Sequence, residues 1–124
     1  MNEAIITPNV EHELVARHCL LECRGRQSHL QGDDMLVLLR QAAIATGATI
    51  LYDYIHPFDG GGVTAAIILA ESHITVHTWP EIDFAAFDIF VCGDCDPILG
   101  AKVIKDYDNQ GEYRQRAFLR GFVK

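Results

Sequence analysis

The chain has 124 residues, 49% hydrophobic and 22% charged, with a formal net charge of −7; that length suits one domain able to bury a core without staples. The acidic balance weighs against a nucleic-acid partner, which needs a basic face, and is compatible with cationic ligands. No run nears the ~20 apolar residues of a membrane span, and "MNEAIITPNVEHE" lacks the order of a signal peptide, so a cytoplasmic location with reduced cysteines is expected.

Residues 1 to about 12 read as a loose arm. Leu14 to Glu22 is apolar and suits a first strand, ended by "RGRQ" and Gly32. Asp33 or Asp34 is expected to cap a helix over "MLVLLRQAAIAT", which Gly47 ends. "ATILYDYIHPF" is a second strand, "DGGG" a turn and "VTAAIILA" a third strand in a hairpin with the second. "AESHITVHTWPE" carries the fourth strand and "FAAFDIFVC" the fifth. "DPILGAKVIKDY" is a second helix, with Asp96 as cap and Pro97 in its first turn. "EYRQRAFLRGFV" is a last strand. Strands joined by short turns pair antiparallel. The expectation is an α+β two-layer sandwich with two helices on one face of a mainly antiparallel sheet.

Period-two alternation sorts side chains between the faces. In the fifth strand Ala85, Phe87, Ile89 and Val91 suit the helix-covered face, leaving Asp88, Phe90 and Cys92 uncovered. His73 and His77 are assigned to that uncovered face, together with Ser72 and Thr64. Such a face is too reactive for plain surface and, with Phe90 and Trp79, too apolar to sit bare in water. A homodimer interface that holds an active site explains both features.

Several chemistries compete. "CGDC" at 92–95, before a helix, invites a dithiol. A four-cysteine zinc site would also need Cys19 and Cys23, which a strand sets roughly 13 Å apart, too far for one tetrahedral ion. His73 and His77 have a spacing that shares a metal on a helix but not on a strand. No metal is therefore expected. His12, His18 and His29 read as structural. Ser72 lacks the G-x-S-x-G elbow of a hydrolase. Ser72 can instead attack its own backbone: a strained Glu71–Ser72 peptide, an oxyanion donor and a base for the α-proton would suffice, with Thr64 and His77 at hand.

"AESHITVHTWPE" closely resembles the self-processing motif of the short prokaryotic S-adenosylmethionine decarboxylase proenzymes, a pyruvoyl-dependent family. The likeness runs without a gap from "HPF" at 56–58 through "GVT" at 62–64 to "FAAFDIFVCG" at 84–93, and "HCLLECRG" at 18–25 resembles the first-strand pattern, including Glu22. The resemblance implies self-cleavage between Glu71 and Ser72 into chains 1–71 and 72–124, with Ser72 becoming the pyruvoyl cofactor. It implies that His77 is the processing base and that Thr64 assists, in a place where the family usually has serine. It makes Cys92 the acid that protonates the substrate carbon. By the same resemblance, Phe58 is expected to stack on adenine, Glu81 to hold the ribose hydroxyls, and two copies to share the active sites. A pyruvoyl carbonyl joins the substrate amine and accepts the electrons left by decarboxylation, as a pyridoxal cofactor does. The product is the aminopropyl donor for polyamine biosynthesis.

Three departures stand out: Thr64 itself, Ile82 where tyrosine usually follows the glutamate, and the loop "DGGG". Relatives with the same processing motif decarboxylate ornithine or arginine, so that substrate class is the alternative. A non-catalytic dithiol binding module is the third reading.

Overall fold

The computed structural model describes residues 13–122; the expected arm over residues 1–12, with His12, lies outside them. The strands are β1 (Glu13–Arg24), β2 (Ile50–Pro57), β3 (Val63–Leu69), β4 (Ser72–Trp79), β5 (Phe84–Cys92) and β6 (Glu112–Phe122). The helices are α1 (Gly32–Thr46) and α2 (Pro97–Asp106), and two 3-10 turns, Arg26–His29 and Pro80–Ile82, add to the expected elements.

The six strands form one sheet in the order β2-β3-β4-β5-β1-β6, and every neighbouring pair is antiparallel. Hairpins in chain order build the sheet from β2 to β5. β1 then inserts beside β5 and leaves β6 at the far edge. Its residues Cys19, Leu21 and Cys23 are buried, which suits an interior strand.

Both helices lie on one face. Along α1, Met35, Leu36, Leu38, Leu39, Ala42 and Ala43 are buried, a spacing that turns one stripe to the sheet. Gly47, at φ 92, closes the helix, and its N–H reaches the carbonyls of Ala43 and Ile44. The expected Asp cap is corrected: Gln31 is the N-cap residue, without a side-chain cap bond. Asp33 and Asp34 fall inside the first turn, where their charge complements the helix dipole. On α2 the expected cap is present, since Asp96 accepts from Ile98 N–H at 2.9 Å.

The core lies between these helices and the inward rows of the sheet. Leu21, Met35, Leu39, Ile67, Ile74, Phe87 and Ile89 are fully buried. Each such side chain stabilises the fold by roughly 1.5–3 kcal/mol relative to exposure. β5 alternates buried and half-buried without a break. Its inward row is the expected Ala85, Phe87, Ile89 and Val91.

The other face of the sheet has no covering layer among the described residues. It presents Tyr52, Tyr54, Ile68, Trp79 and Phe118, all exposed, beside half-buried Phe90. Hydrophobic side chains in that number call for a cover.

Candidate functional site

Register places a row of chemically active side chains across the open face. His56 on β2 pairs with Thr64 on β3, and Thr64 pairs with His77 on β4. Ala86 on β5, Glu22 on β1 and Arg114 on β6 continue the row. Thr64 Oγ1 and His77 Nδ1 lie 2.8 Å apart. Thr64 therefore keeps the hydroxyl contact with the histidine that serine would make.

At this end of β4 lies a half-open cavity of about 310 Å³. The β2–β3 loop supplies Phe58, the strands supply Thr64, His77 and Trp79, and the turn after β4 supplies Glu81. The His56 ring meets Phe58 edge-on, with centroids 4.8 Å apart, and Tyr54 Oη sits 3.4 Å from His56 Nδ1. Trp79 stacks on Phe84 at 5.5 Å. The loop lies tight against β4: a Cβ on Gly62 would meet the Thr78 carbonyl oxygen at 2.8 Å. Ile82 is exposed beside Glu81. Four of the sequence-assigned residues, Phe58, Thr64, His77 and Glu81, thus share one cavity.

Ser72 and Cys92 lie at the opposite end. β3 and β4 are joined by a two-residue turn, Ala70 and Glu71, with Leu69 paired to Ser72. Glu71 has φ 59, a left-handed conformation that a side chain of its kind adopts at a cost of order 1–3 kcal/mol. The peptide bond that follows joins it to Ser72. Ser72 Oγ accepts from Cys92 N–H at 3.1 Å and lies 3.5 Å from Cys92 Sγ. Cys92 Sγ also sits 3.5 Å from a Glu71 carboxylate oxygen.

One assignment is corrected here. Ser72 does not share the open face with Thr64 and His77. It has the inward parity of Ile74 and Val76 and is 8% exposed. A two-residue turn pairs an even-numbered residue with an odd-numbered one, so Thr64 faces His77 rather than the side of Ser72.

Between the two ends, His73 stacks on Phe90, with ring centroids 5.3 Å apart and 5° between planes. His18 bonds to Asp88 through Nε2, and its Nδ1 lies 3.0 Å from an Arg120 guanidinium nitrogen. Arginine can only donate, so Nδ1 accepts and the proton sits on Nε2, directed at Asp88. His18, read as structural, makes these contacts in the middle of the open face. Long-range pairing of β1 with β5 and β6 creates this group, and no local pattern signals it.

Cys95 stands apart from Cys92 in environment. Burial raises its thiol above the usual value, and the neighbouring Cys92 and Asp94 act in the same direction. A raised thiol is a poor nucleophile for disulfide exchange. Burial also pushes Cys23 up, to about 12.

An antiparallel sheet with both helices on one face and reactive side chains on the other defines a two-layer α+β protein. Residues 17–121 match the family model described as S-adenosylmethionine decarboxylase, and the chain belongs to that family. A protein named S-adenosylmethionine decarboxylase proenzyme from Caldanaerobacter subterraneus subsp. tengcongensis is 43% identical over 82 residues. That alignment covers 64% of this chain and 66% of the relative's length. One of the same name from a Synechococcus species is 37% identical over 110 residues, 86% of each chain. The crystal structure of the adenosylmethionine decarboxylase from Aquifex aeolicus is similar in fold, with a TM-score of 0.78 and 26% identity, covering 90% of this chain and 95% of that one. No helix among the described residues is long and apolar enough to cross a membrane.

Proposed function

We propose that this chain is a proenzyme that cuts itself between Glu71 and Ser72 into chains 1–71 and 72–124, and then decarboxylates S-adenosylmethionine with the pyruvoyl group left at position 72. The observation that carries the reading is the Ser72 hydroxyl, held by the Cys92 N–H directly after a left-handed Glu71. Family membership and the relatives named proenzymes point the same way.

Cleavage is an acyl shift followed by elimination. The Ser72 oxygen bonds to the Glu71 carbonyl carbon, and the Glu71–Ser72 C–N bond breaks, giving an ester and a free amine. Loss of the Ser72 α-proton expels the Glu71 carboxylate. Hydrolysis of the remaining enamine releases ammonia. Strain at Glu71 favours the first step by raising the energy of the intact peptide. The α-proton needs a base and the tetrahedral oxygen a donor, and His77 and Thr64 are the groups proposed for those roles.

One chain cannot supply them to its own Ser72. His77 lies five residues further along the same strand, about 16 Å away and on the opposite face. Two copies packed open face to open face, with their β4 strands running in opposite directions, bring His77 of one toward the turn that carries the Glu71–Ser72 peptide of the other. The same packing covers Tyr54, Ile68, Trp79 and Phe118, which one chain leaves exposed. The working species is therefore a homodimer, in a cytoplasmic setting where thiols such as Cys92 stay reduced.

The pyruvoyl group supplies an electron sink when the substrate carboxylate departs. The protein's own side chains bind, orient and protonate. Phe58 offers a face on which adenine stacks, and the Glu81 carboxylate accepts from the two ribose hydroxyls. The Cys92 thiol, 3.5 Å from Ser72 Oγ, returns a proton to the substrate carbon. The pairing of aromatic and carboxylate across one cavity favours a nucleoside substrate, because ornithine and arginine have no base to stack. The product is the aminopropyl donor used in polyamine synthesis. Release of labelled carbon dioxide from carboxyl-labelled S-adenosylmethionine is the expected result. Release from ornithine or arginine instead would overturn the substrate assignment.

A further inference from the structure

Both walls of the cavity are tied to one short stretch of chain. The 3-10 turn Arg26–His29 leads to Gln31, the residue before α1. Gln31 Nε2 donates to the Gly61 carbonyl at 3.1 Å, and Gly61 N–H donates to the Phe58 carbonyl at 3.2 Å. A Cβ on Gly61 would approach Gln31 Nε2 to 2.8 Å, so the loop and the glutamine are in close contact. The other wall is held by Asp83, which follows the turn Pro80–Ile82 that carries Glu81. The Asp83 carboxylate lies 3.0 Å from His29 Nε2 and 3.1 Å from Ser28 Oγ. Ser28 also lies 2.8 Å from the Gly25 carbonyl, so its one hydroxyl hydrogen is shared and His29 is the undivided donor.

Two features set these contacts apart from ordinary surface bonds. Gln31, His29 and Asp83 are exposed and add nothing to the core. Asp83 has φ 54, and among the described residues the only other non-glycine with positive φ is Glu71, at the cleavage turn. Such a conformation persists when its surroundings hold it, and aspartate and asparagine tolerate it best. A nucleoside is rigid between base and ribose. The separation of an aromatic wall from a carboxylate wall therefore decides whether both engage at once, and small misplacements are costly.

We infer that residues 28–31 form a brace that sets the spacing of Phe58 and Glu81, with Gln31 positioning the base-stacking wall and Asp83, through His29, the ribose-binding wall. This inference rests on the nucleoside reading of the cavity. It assigns the two walls separable roles: loosening Gln31 weakens every ligand that stacks, whereas loosening Asp83 weakens only ligands with ribose hydroxyls.

Trp79 is the chain's single tryptophan and lines the cavity, so its fluorescence reports binding. Purified full-length protein is titrated with adenosine and with 2′,3′-dideoxyadenosine. Gln31→Ala is expected to weaken both ligands about fivefold, the value of one hydrogen bond. Asp83→Ala is expected to weaken adenosine about fivefold and leave the dideoxy ligand unchanged, so that the wild-type preference between the two collapses. Asp83→Asn, which keeps an acceptor oxygen and tolerates the left-handed backbone, is expected to restore the preference. Cleavage between Glu71 and Ser72, followed by mass spectrometry, proceeds in all three variants and reports that they fold. Wild-type affinities in Gln31→Ala and Asp83→Ala would overturn the brace alone. So would an equal loss of both ligands in Asp83→Ala that Asp83→Asn fails to repair, because that is general damage. A wild-type protein that binds neither nucleoside would overturn the nucleoside reading of the cavity, and the brace with it.

Discussion

The two ends of β4 are built in different ways. At its start, the backbone does most of the work: a two-residue turn, a left-handed Glu71 and the Cys92 N–H hold the Ser72 hydroxyl. At its far end, side chains from two loops and two strands converge on a cavity, and exposed hydrogen bonds from Gln31 and His29 hold the loops. The first end is suited to a single covalent event within the chain. The second is suited to repeated binding of a soluble ligand. A strand joins them rigidly at about 3.3 Å per residue, so neither end can bend toward the other. On the proposed function, a catalytic site drawn from both ends would therefore need two copies of the chain.

The largest expected effect tests that requirement. Ser72→Ala and His77→Ala, each made alone, should remain uncut and inactive. Co-expressed in equal amounts, they should recover cleavage and about a quarter of wild-type turnover. Half of the dimers are then mixed, and each mixed dimer assembles one intact pair from the Ser72 of one copy and the His77 of the other. Cleavage is read by mass spectrometry and turnover by carbon dioxide release. Failure to complement, with mixed dimers present by sedimentation, would break the comparison between the two ends.

Next in size is the contrast of the two cysteines at the cleavage end. Cys92→Ala should cleave at Ser72 and then release carbon dioxide roughly 10²- to 10⁴-fold more slowly, the usual worth of a positioned acid. Cys95→Ala should keep near-normal turnover, since its half-buried thiol is raised and makes no contact with Ser72 among those described. Equal and severe losses in both would point to a dithiol, which needs an attacking and a resolving sulfur. Following cleavage separately keeps a processing defect from imitating a catalytic one.

The smallest effect concerns backbone strain alone. Glu71→Gly relieves the left-handed conformation and should slow cleavage about fivefold, equivalent to ~1 kcal/mol of lost strain. Glu71→Gln keeps the strain while removing the charge near Cys92 and should cleave at close to the normal rate. A slower Glu71→Gln with an unaffected Glu71→Gly would assign the effect to the carboxylate instead.

Alternation in β5 declared its inward row of Ala85, Phe87, Ile89 and Val91, because a half-buried strand must repeat every two residues. Asp96 followed by Pro97 marked the start of α2, and Gly47 the end of α1, because caps are local chemistry. Parity and residue type pointed to Ser72, His77 and Thr64, and the likeness of "AESHITVHTWPE" and its flanks to the family's processing motif added the roles of Cys92, Phe58 and Glu81. Strand parity cannot be carried through a turn, however, and so Ser72 was assigned to the wrong face. The expected start of α1 at Met35 is three positions late, since Gly32 enters the helix at φ 53 without a side-chain cap to announce it.

What the sequence by itself determined is therefore local and covalent: the periods of strands and helices, the caps, the kinds of reactive side chain, and the spacing of Ser72 from His77 and Cys92. What only the tertiary structure decided depends on pairings between distant segments. Insertion of β1 beside β5 brings His18 against Asp88 and Arg120. Register across β2, β3 and β4 aligns His56, Thr64 and His77. Folding of residues 28–31 over two loops joins Gln31 to Gly61 and His29 to Asp83. Each of these contacts spans 30 or more residues of chain, apart from the register of β2 to β4. Periodicity says which face a side chain takes within its own strand; which strand comes to lie beside it is settled by burial of the whole sheet against its helices.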